Sequence, residues 1–385
     1  MFRVATIVPN IIAFEHIDDF LCTKHDLHGV VFYNGTRMEV DIVRKIMRIT
    51  MYAFLSFVLV WLVIAIWPRP LSHSGHNPFR SQDGLPHIIA HAGGNMEFPD
   101  NTLEAFYNAY HVDPNIIMEA DINITQDGVV VLSHDRTFDR KTTLQYADVH
   151  ETSYTDLVEQ AIDFGYENPI DGPNGYNVTG ERIPYTNYLG DTVTPLDVTY
   201  PEGVEPRHDT KFLVTTLEDL ITAFPDNLIV IELKQHGDVG AALFDAVIDL
   251  MVQLDDAYDT FNRIVLASFH EDQYARFLEA KNTSHPTLMF SPQAISIERF
   301  YVLHLLRFDA FYRDPATAFH IPTQEGNINL ATERFLRAAG RHNIAVHYWT
   351  INDEETMIEL IELGADGILT DRPTLLKEIL DRYRE

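Results

Sequence analysis

Two carboxylates and an imidazole stand close together in the stretch MEADINITQDGVVVLSHD, Met118 to Asp135. Glu119 and Asp121 are two residues apart, so on a strand they point to the same side. Gln126-Asp127-Gly128 is a turn signal, and the apolar run after it is long enough for a second strand. The connection is too short for a parallel crossover, so an antiparallel hairpin is expected. A two-residue turn would set Asp121 opposite His134, and a four-residue turn would set Glu119 opposite His134. In either register His134 falls on the face of the two acids, whereas a slip of one residue would turn it away. Further on, LIVIELKQ puts Glu232 and Lys234 on one face of a buried strand, near its C-terminal end. Glu119, Asp121 and Glu232 together suit a hard cation bound through oxygen, and Lys234 adds a point charge for an anionic ligand. A third element is IIAHAGGNMEFPDNT, where His91 ends a short apolar run and two glycines follow. Alone, such a histidine is better explained by a structural turn than by chemistry. Beside the acids and the lysine it becomes a catalytic candidate at the rim of a barrel.

These residues need elements that aim them at one point. From His87 onward the chain alternates strand-like and helix-like segments. Eight strands are expected, at His87–His91, Ile116–Ile122, Leu228–Leu233, Ile264–Ser268, Thr287–Phe290, Ala318–Ile321, Ala345–Trp349 and Gly367–Thr370. Amphipathic segments such as Asn101–Tyr110, Gly240–Leu254, Glu271–Lys281, Leu330–His342 and Glu354–Leu363 lie between most of them. Eight such units are the count of a (β/α)8 TIM barrel, an α/β fold whose active site lies at the C-terminal ends of the strands. An open doubly wound sheet is the alternative, but no G-x-G-x-x-G follows the first strand, so a dinucleotide role has no support. The barrel domain is expected over residues 86–385. A long irregular piece at about 166–208, rich in Asn, Gly, Pro, Tyr and Asp, reads as an insertion beside the mouth.

Ahead of the barrel, ITMYAFLSFVLVWLVIAIW (Ile49–Trp67) is an uncharged run of 19 residues, enough for one membrane-spanning helix. A signal-anchor is expected over 47–68, and PRPLSHSGHNP opens a linker over 69–85. Arg44, Lys45 and Arg48 precede the run and only Arg69 follows closely, so the N-terminus is expected in the cytoplasm and the catalytic domain outside it. A cleaved signal peptide is the rival, but no A-x-A site follows. Residues 1–46 form a leader with no readable motif. Met47 opens MRITMYAFLSF, the form of a signal-anchor start, so translation is expected to begin there. The chain has 57 Asp+Glu against 28 Lys+Arg, a formal charge of -29. So acidic a protein would repel nucleic acid. Its one cysteine, Cys22, lies outside the barrel, which leaves that domain no disulfide, Cys-based zinc site or thiol nucleophile.

Taken in order, HAGG, PDNT, EAD, DG, HD, IELK, WTIN and DGILTDRP resemble the motifs of the glycerophosphodiester phosphodiesterase family, within the phospholipase C-like barrels. The resemblance covers His87 to about Pro373. It implies His91 and His134 as catalytic histidines and Glu119, Asp121 and Glu232 as ligands of one divalent cation, Mg²⁺ or Ca²⁺. It also implies Lys234 near the phosphate and Trp349 lining the substrate pocket. Ala92 replaces an arginine that helps hold the phosphate in the family, and Asp100 replaces the glutamate of P-E-N-T. The implied reaction is hydrolysis of a glycerophosphodiester to glycerol 3-phosphate and an alcohol. A lysophospholipase D acting on lysophospholipids is the alternative, and Phe300–Phe308 (FYVLHLLRF) could touch lipid, although an ordinary barrel helix is the better explanation of that segment. An inactive, membrane-anchored binding protein would have lost site residues, and none of the metal-ligand or histidine positions is lost here.

Overall fold

The computed structural model describes residues 34–170 and 178–384. The first 33 residues of the leader, and residues 171–177 of the insertion, lie outside this range. The chain divides into two units, Met1–Leu62 and Val63–Glu385. In the first, helix runs through the described residues as part of a helix spanning Asn34–Ile66. Its stretch Ile42–Ile66 has the length and composition to cross a membrane, about 37 Å at the helical rise. Side chains such as Phe54, Leu55 and Leu59 stand exposed on it.

The second unit is the barrel. Its strands are β1 (His87–Ala90), β2 (Ile117–Ile124), β3 (Val130–Leu132), β4 (Ile229–Leu233), β5 (Ile264–Ala267), β6 (Met289–Phe290), β7 (Ala318–Ile321), a small hairpin of β8 (Gln324–Glu325) and β9 (Ile328–Asn329), then β10 (Ala345–Tyr348) and β11 (Gly367–Thr370). The wall runs β6-β5-β4-β2-β1-β11-β10-β7, each neighbour parallel, and β3 hangs antiparallel on β2. At the seam between β6 and β7, Thr317 N donates to Phe290 O at 3.0 Å. The result is a nearly closed eight-stranded TIM barrel, as the alternation of strand and helix signals implies.

Outside the wall, helices bury one stripe each. In the helix Gly237–Tyr258 the stripe is Leu243, Val247, Met251 and Leu254, spaced four, four and three apart. Inside, the strands alternate. Ile89, Ile117, Val230, Val265, Met289, Ala318, Ala345 and Leu369 form a separate apolar cluster, and Phe79 closes it with no exposed surface. That cluster fills the lumen at the N-terminal ends of the strands, which we call the base.

Residues 69–85, read from sequence as a linker, are packed across that base. Asn77 Nδ2 donates to Thr317 O and Asn343 O, both at 2.8 Å, and Ser72 N donates to His342 O at 2.9 Å. The Pro and Ser content that suggests a loose tether here reflects irregular backbone bonded to loop carbonyls.

Candidate active site

Two residues beyond the apolar layer, β1, β2 and β4 turn polar on the same face. Ile89 is followed by His91, Ile117 by Glu119 and Asp121, and Val230 by Glu232 and Lys234. These side chains share the C-terminal mouth because the parallel register sets Asp121 beside Glu232. Carboxylate oxygens of Glu119, Asp121 and Glu232 come within 4.8 Å of one another. Lys234 Nζ lies 2.9 Å from Asp121 Oδ1 and 2.8 Å from Glu232 Oε1. Glu119 and Asp121 are almost wholly buried.

The hairpin register differs from both expected ones. Ile122 faces Leu132, Asn123 faces Val131 and Ile124 faces Val130, so Asp121 faces Ser133. The turn leaves three residues, Gln126 to Gly128, between Thr125 and Val129, with Gly128 at φ 83. An odd loop of this kind takes a glycine in the left-handed region, and it moves the pairing by one. His134 escapes the consequence because β3 ends at Leu132. It lies in the following bend, close enough to Asp121 for the carboxylate to raise its affinity for a proton.

Each histidine is held by an aspartate. His91 Nδ1 lies 2.6 Å from Asp371 Oδ1, and Asp371 is itself fixed by Asn352 Nδ2 at 2.7 Å. His134 Nδ1 lies 3.0 Å from Asp135 Oδ1. A carboxylate can only accept, so Nδ1 is the donor in both and Nε2 is left for proton transfer. Burial opposes charge on His91, but the Asp371 bond and the nearby Glu119 outweigh it and push the imidazole up to about 10. His134 is raised too, first by its bond to Asp135. Burial and then the Asp121 charge push Glu119 up to about 7. Burial also raises Glu232, whereas Lys234 outweighs burial at Asp121 and holds it low.

The residues after His91 serve the acids. Ala92 sits at φ 50 and its N–H donates to Glu119 Oε2 at 2.8 Å. Gly93, at φ 89, lies where a Cβ would come 2.8 Å from Ala105 Cβ, so only glycine fits. The Asn101 side chain bonds Asp121 twice, donating from Nδ2 to Oδ2 and accepting at Oδ1 from the Asp121 backbone N–H, at 3.0 Å each. Asp100, the departure from the family motif, is buried and paired with Arg140 at 3.1 Å and with Lys141. Arg140 Nε in turn reaches Asp135 at 2.6 Å, so the chain Asp100–Arg140–Asp135 supports His134. Trp349 is half-buried at the mouth, with its ring 6.0 Å from the exposed Phe269. The insertion lies against the residues after β1: Tyr185 Oη donates to Asn95 O at 2.6 Å and Tyr188 N to Met96 O at 2.8 Å.

Asn101, Asn352 and Asp371 stood in quoted motifs, PDNT, WTIN and TDRP, without a role. Arg140 and Phe269 carried no sequence signal, because only the folded loops bring them near.

The donor set fits a hard cation. All three groups are carboxylates, two of them are buried, and Asp121 Oδ1 receives no well-directed hydrogen bond despite the nearby ammonium.

The chain is similar to known proteins over most of its length. The model of the glycerophosphoryl diester phosphodiesterase family matches residues 91–375. The human lysophospholipase D GDPD1 is 23% identical over 329 residues, 79% of this chain and 89% of that protein. A glycerophosphodiester phosphodiesterase from Caldanaerobacter subterraneus is 25% identical over 75% of this chain and 95% of its own length. A solved phosphodiesterase from Oleispira antarctica, in complex with its product sn-glycerol-3-phosphate, shares the fold. It has a TM-score of 0.52 and 19% identity, covering 77% of this chain and 97% of that one. With most of the barrel inside the matched range, the chain belongs to the glycerophosphoryl diester phosphodiesterase family.

Proposed function

We propose that this protein hydrolyses glycerophosphodiesters to glycerol 3-phosphate and an alcohol. The observation that supports it most is the meeting of three carboxylates and Lys234 with two histidines whose Nε2 atoms are free. A divalent cation, Mg²⁺ or Ca²⁺, held by Glu119, Asp121 and Glu232 would supply charge neutralisation at the phosphate oxygens. Lys234 binds the same anionic group, and Trp349 with Phe269 contacts the rest of the substrate. His134 takes a proton from the attacking oxygen, which belongs to water or to the substrate's neighbouring hydroxyl. His91 gives a proton to the departing alkoxide as the bond between phosphorus and that oxygen breaks. The bond to Asp371 and the nearby Glu119, which favour the protonated imidazole, suit His91 to the acid role. Lysophospholipase D is the second reading, favoured by the exposed Phe269 beside Trp349 as an apolar contact for a lipid chain. The helix ending at Ile66 would anchor the protein with the barrel outside the cytoplasm, given three basic residues before it and Arg69 after.

The test is a metal-replete assay of purified protein with glycerophosphodiesters beside lysophospholipids, reading the released alcohol. Activity lost in chelator and restored by Mg²⁺ or Ca²⁺ is expected. Full turnover in excess chelator after dialysis would refute the cation site.

A further inference from the structure

The base of the barrel carries an apolar surface with a basic rim. Val302, Leu305 and Leu306 lie at i, i+3 and i+4 on the helix Ala294–Leu305 and the residue after it, and all three are about half exposed. Phe311 follows, 57% exposed, with its ring 6.2 Å from Phe308. Exposed Arg307, Arg313 and Arg334 border them, and Arg334 Nη2 donates to Leu305 O at 3.0 Å. Residues 299–342 hold six arginines against four acids, in a chain whose formal charge is -29. This local reversal of sign is what an anionic lipid surface attracts, while apolar side chains between the arginines enter the headgroup layer.

The same place receives the chain from the apolar helix. Arg69 bonds Asp309 through two nitrogens, at 2.8 and 3.0 Å, and both side chains are nearly inaccessible. Its guanidinium also donates to Ile64 O at 3.2 Å and Ala65 O at 3.1 Å, the last turn of that helix. Asp309 lies between Phe308 and Phe311, so the exit of the helix and the apolar patch are continuous. Three residues from Ile66 to Arg69 span at most about 10 Å. The stretch 69–85 is itself packed across the base.

Resting on the reading of that helix as a retained anchor, we propose that the base docks on the lipid surface through Val302, Leu305, Leu306 and Phe311, so that the catalytic mouth opens away from the bilayer. Substrate then arrives from water, which favours soluble diesters, or lysophospholipids as free monomers, over lipids held in the same membrane.

The full chain, with Cys22→Ser, is labelled through a single introduced cysteine and placed in vesicles of phosphatidylcholine and phosphatidylglycerol containing spin-labelled lipid. Leu306→Cys reports the base, and Leu189→Cys, on the exposed insertion near the mouth, reports the other end. Several-fold stronger quenching at 306 than at 189 is expected. Adding Leu305→Glu and Phe311→Glu should reduce it. Equal quenching, stronger quenching at 189, or recovery of a chain from which the helix has been removed would overturn the proposal. Diesterase turnover in detergent is followed on the same samples. Its absence would count against the proposed activity and leave the depth comparison to decide the docking.

Discussion

Mouth and base are two ends of one lumen, and two residues along a strand separate them. At the base Ile89, Ile117 and Val230 pack with Phe79 as a layer of apolar side chains. At the mouth the same strands present His91, Glu119, Asp121, Glu232 and Lys234, whose charges outnumber their internal partners. The apolar layer stabilises the barrel by burial, worth roughly 1.5–3 kcal/mol for each large side chain. The charged layer works against stability, since three neighbouring carboxylates repel and two are buried. The lesson is that the base makes the rigid frame on which the mouth can hold groups in an unfavourable arrangement.

Substitutions at the two ends should therefore separate activity from stability. The largest effect is expected at the histidines. His91→Ala and His134→Ala should each lower kcat by roughly 10²- to 10⁴-fold while the protein stays folded. A diester with a good leaving group, such as a nitrophenol, should restore much of the rate to His91→Ala and little to His134→Ala. Rescue of both alike would refute the assignment of His91 as the acid.

At the base, Phe79→Ala should cost about 3–5 kcal/mol of unfolding free energy, because it empties the plug of the lumen. The kcat of the folded fraction should stay near wild type. Denaturant unfolding followed beside active-site titration separates the two, and a large loss of kcat per folded molecule would show that the ends are not independent.

Asp371→Asn belongs between the two classes. The side chain keeps its shape and can still accept from His91 Nδ1, but the charge that holds the imidazole up is gone. The alkaline limb of the pH–rate profile, where His91 loses its proton, should move to lower pH, with a loss of roughly 10- to 100-fold, since the change removes a supporting partner. An unchanged pH–rate profile would leave Asp371 a structural role alone.

The smallest effect is a stability change without metal. Glu119 titrates at about 7 in the folded protein, above the ordinary carboxylate value. Between these values the folded state binds more protons than the unfolded one, so its contribution to stability falls as pH rises through that window. In chelator, wild type should lose stability from about pH 4.5 to about pH 7 relative to Glu119→Gln, and saturating cation should remove the difference. Parallel stability curves for the two proteins would contradict the unfavourable packing of acids at the mouth.

Much of this was legible along the chain. The eight barrel strands come within two residues of their expected bounds, since buried apolar runs bounded by turn residues and helical stripes are local patterns. Glu119 with Asp121, and Glu232 with Lys234, share faces because the strand period is two. The hairpin register was not legible: Gln126-Asp127-Gly128 fits turns of different length, and a one-residue loop difference costs little until the strands are packed. Nor was the packing of 69–85, whose partners Asn343, Thr317 and His342 are more than 230 residues away.

By itself the sequence determined which side chains alternate with the core, where the apolar helix lies, and which acids and histidines stand at strand ends. Only the tertiary structure decided what holds them. Asp371 reaches His91 across 280 residues, Arg140 links Asp100 to Asp135, and Arg69 closes on Asp309 across 240. Periodicity is a property of neighbours in the chain, and those partners meet only in the folded barrel; for His91 and Asp371 that is because its first and last strands lie side by side.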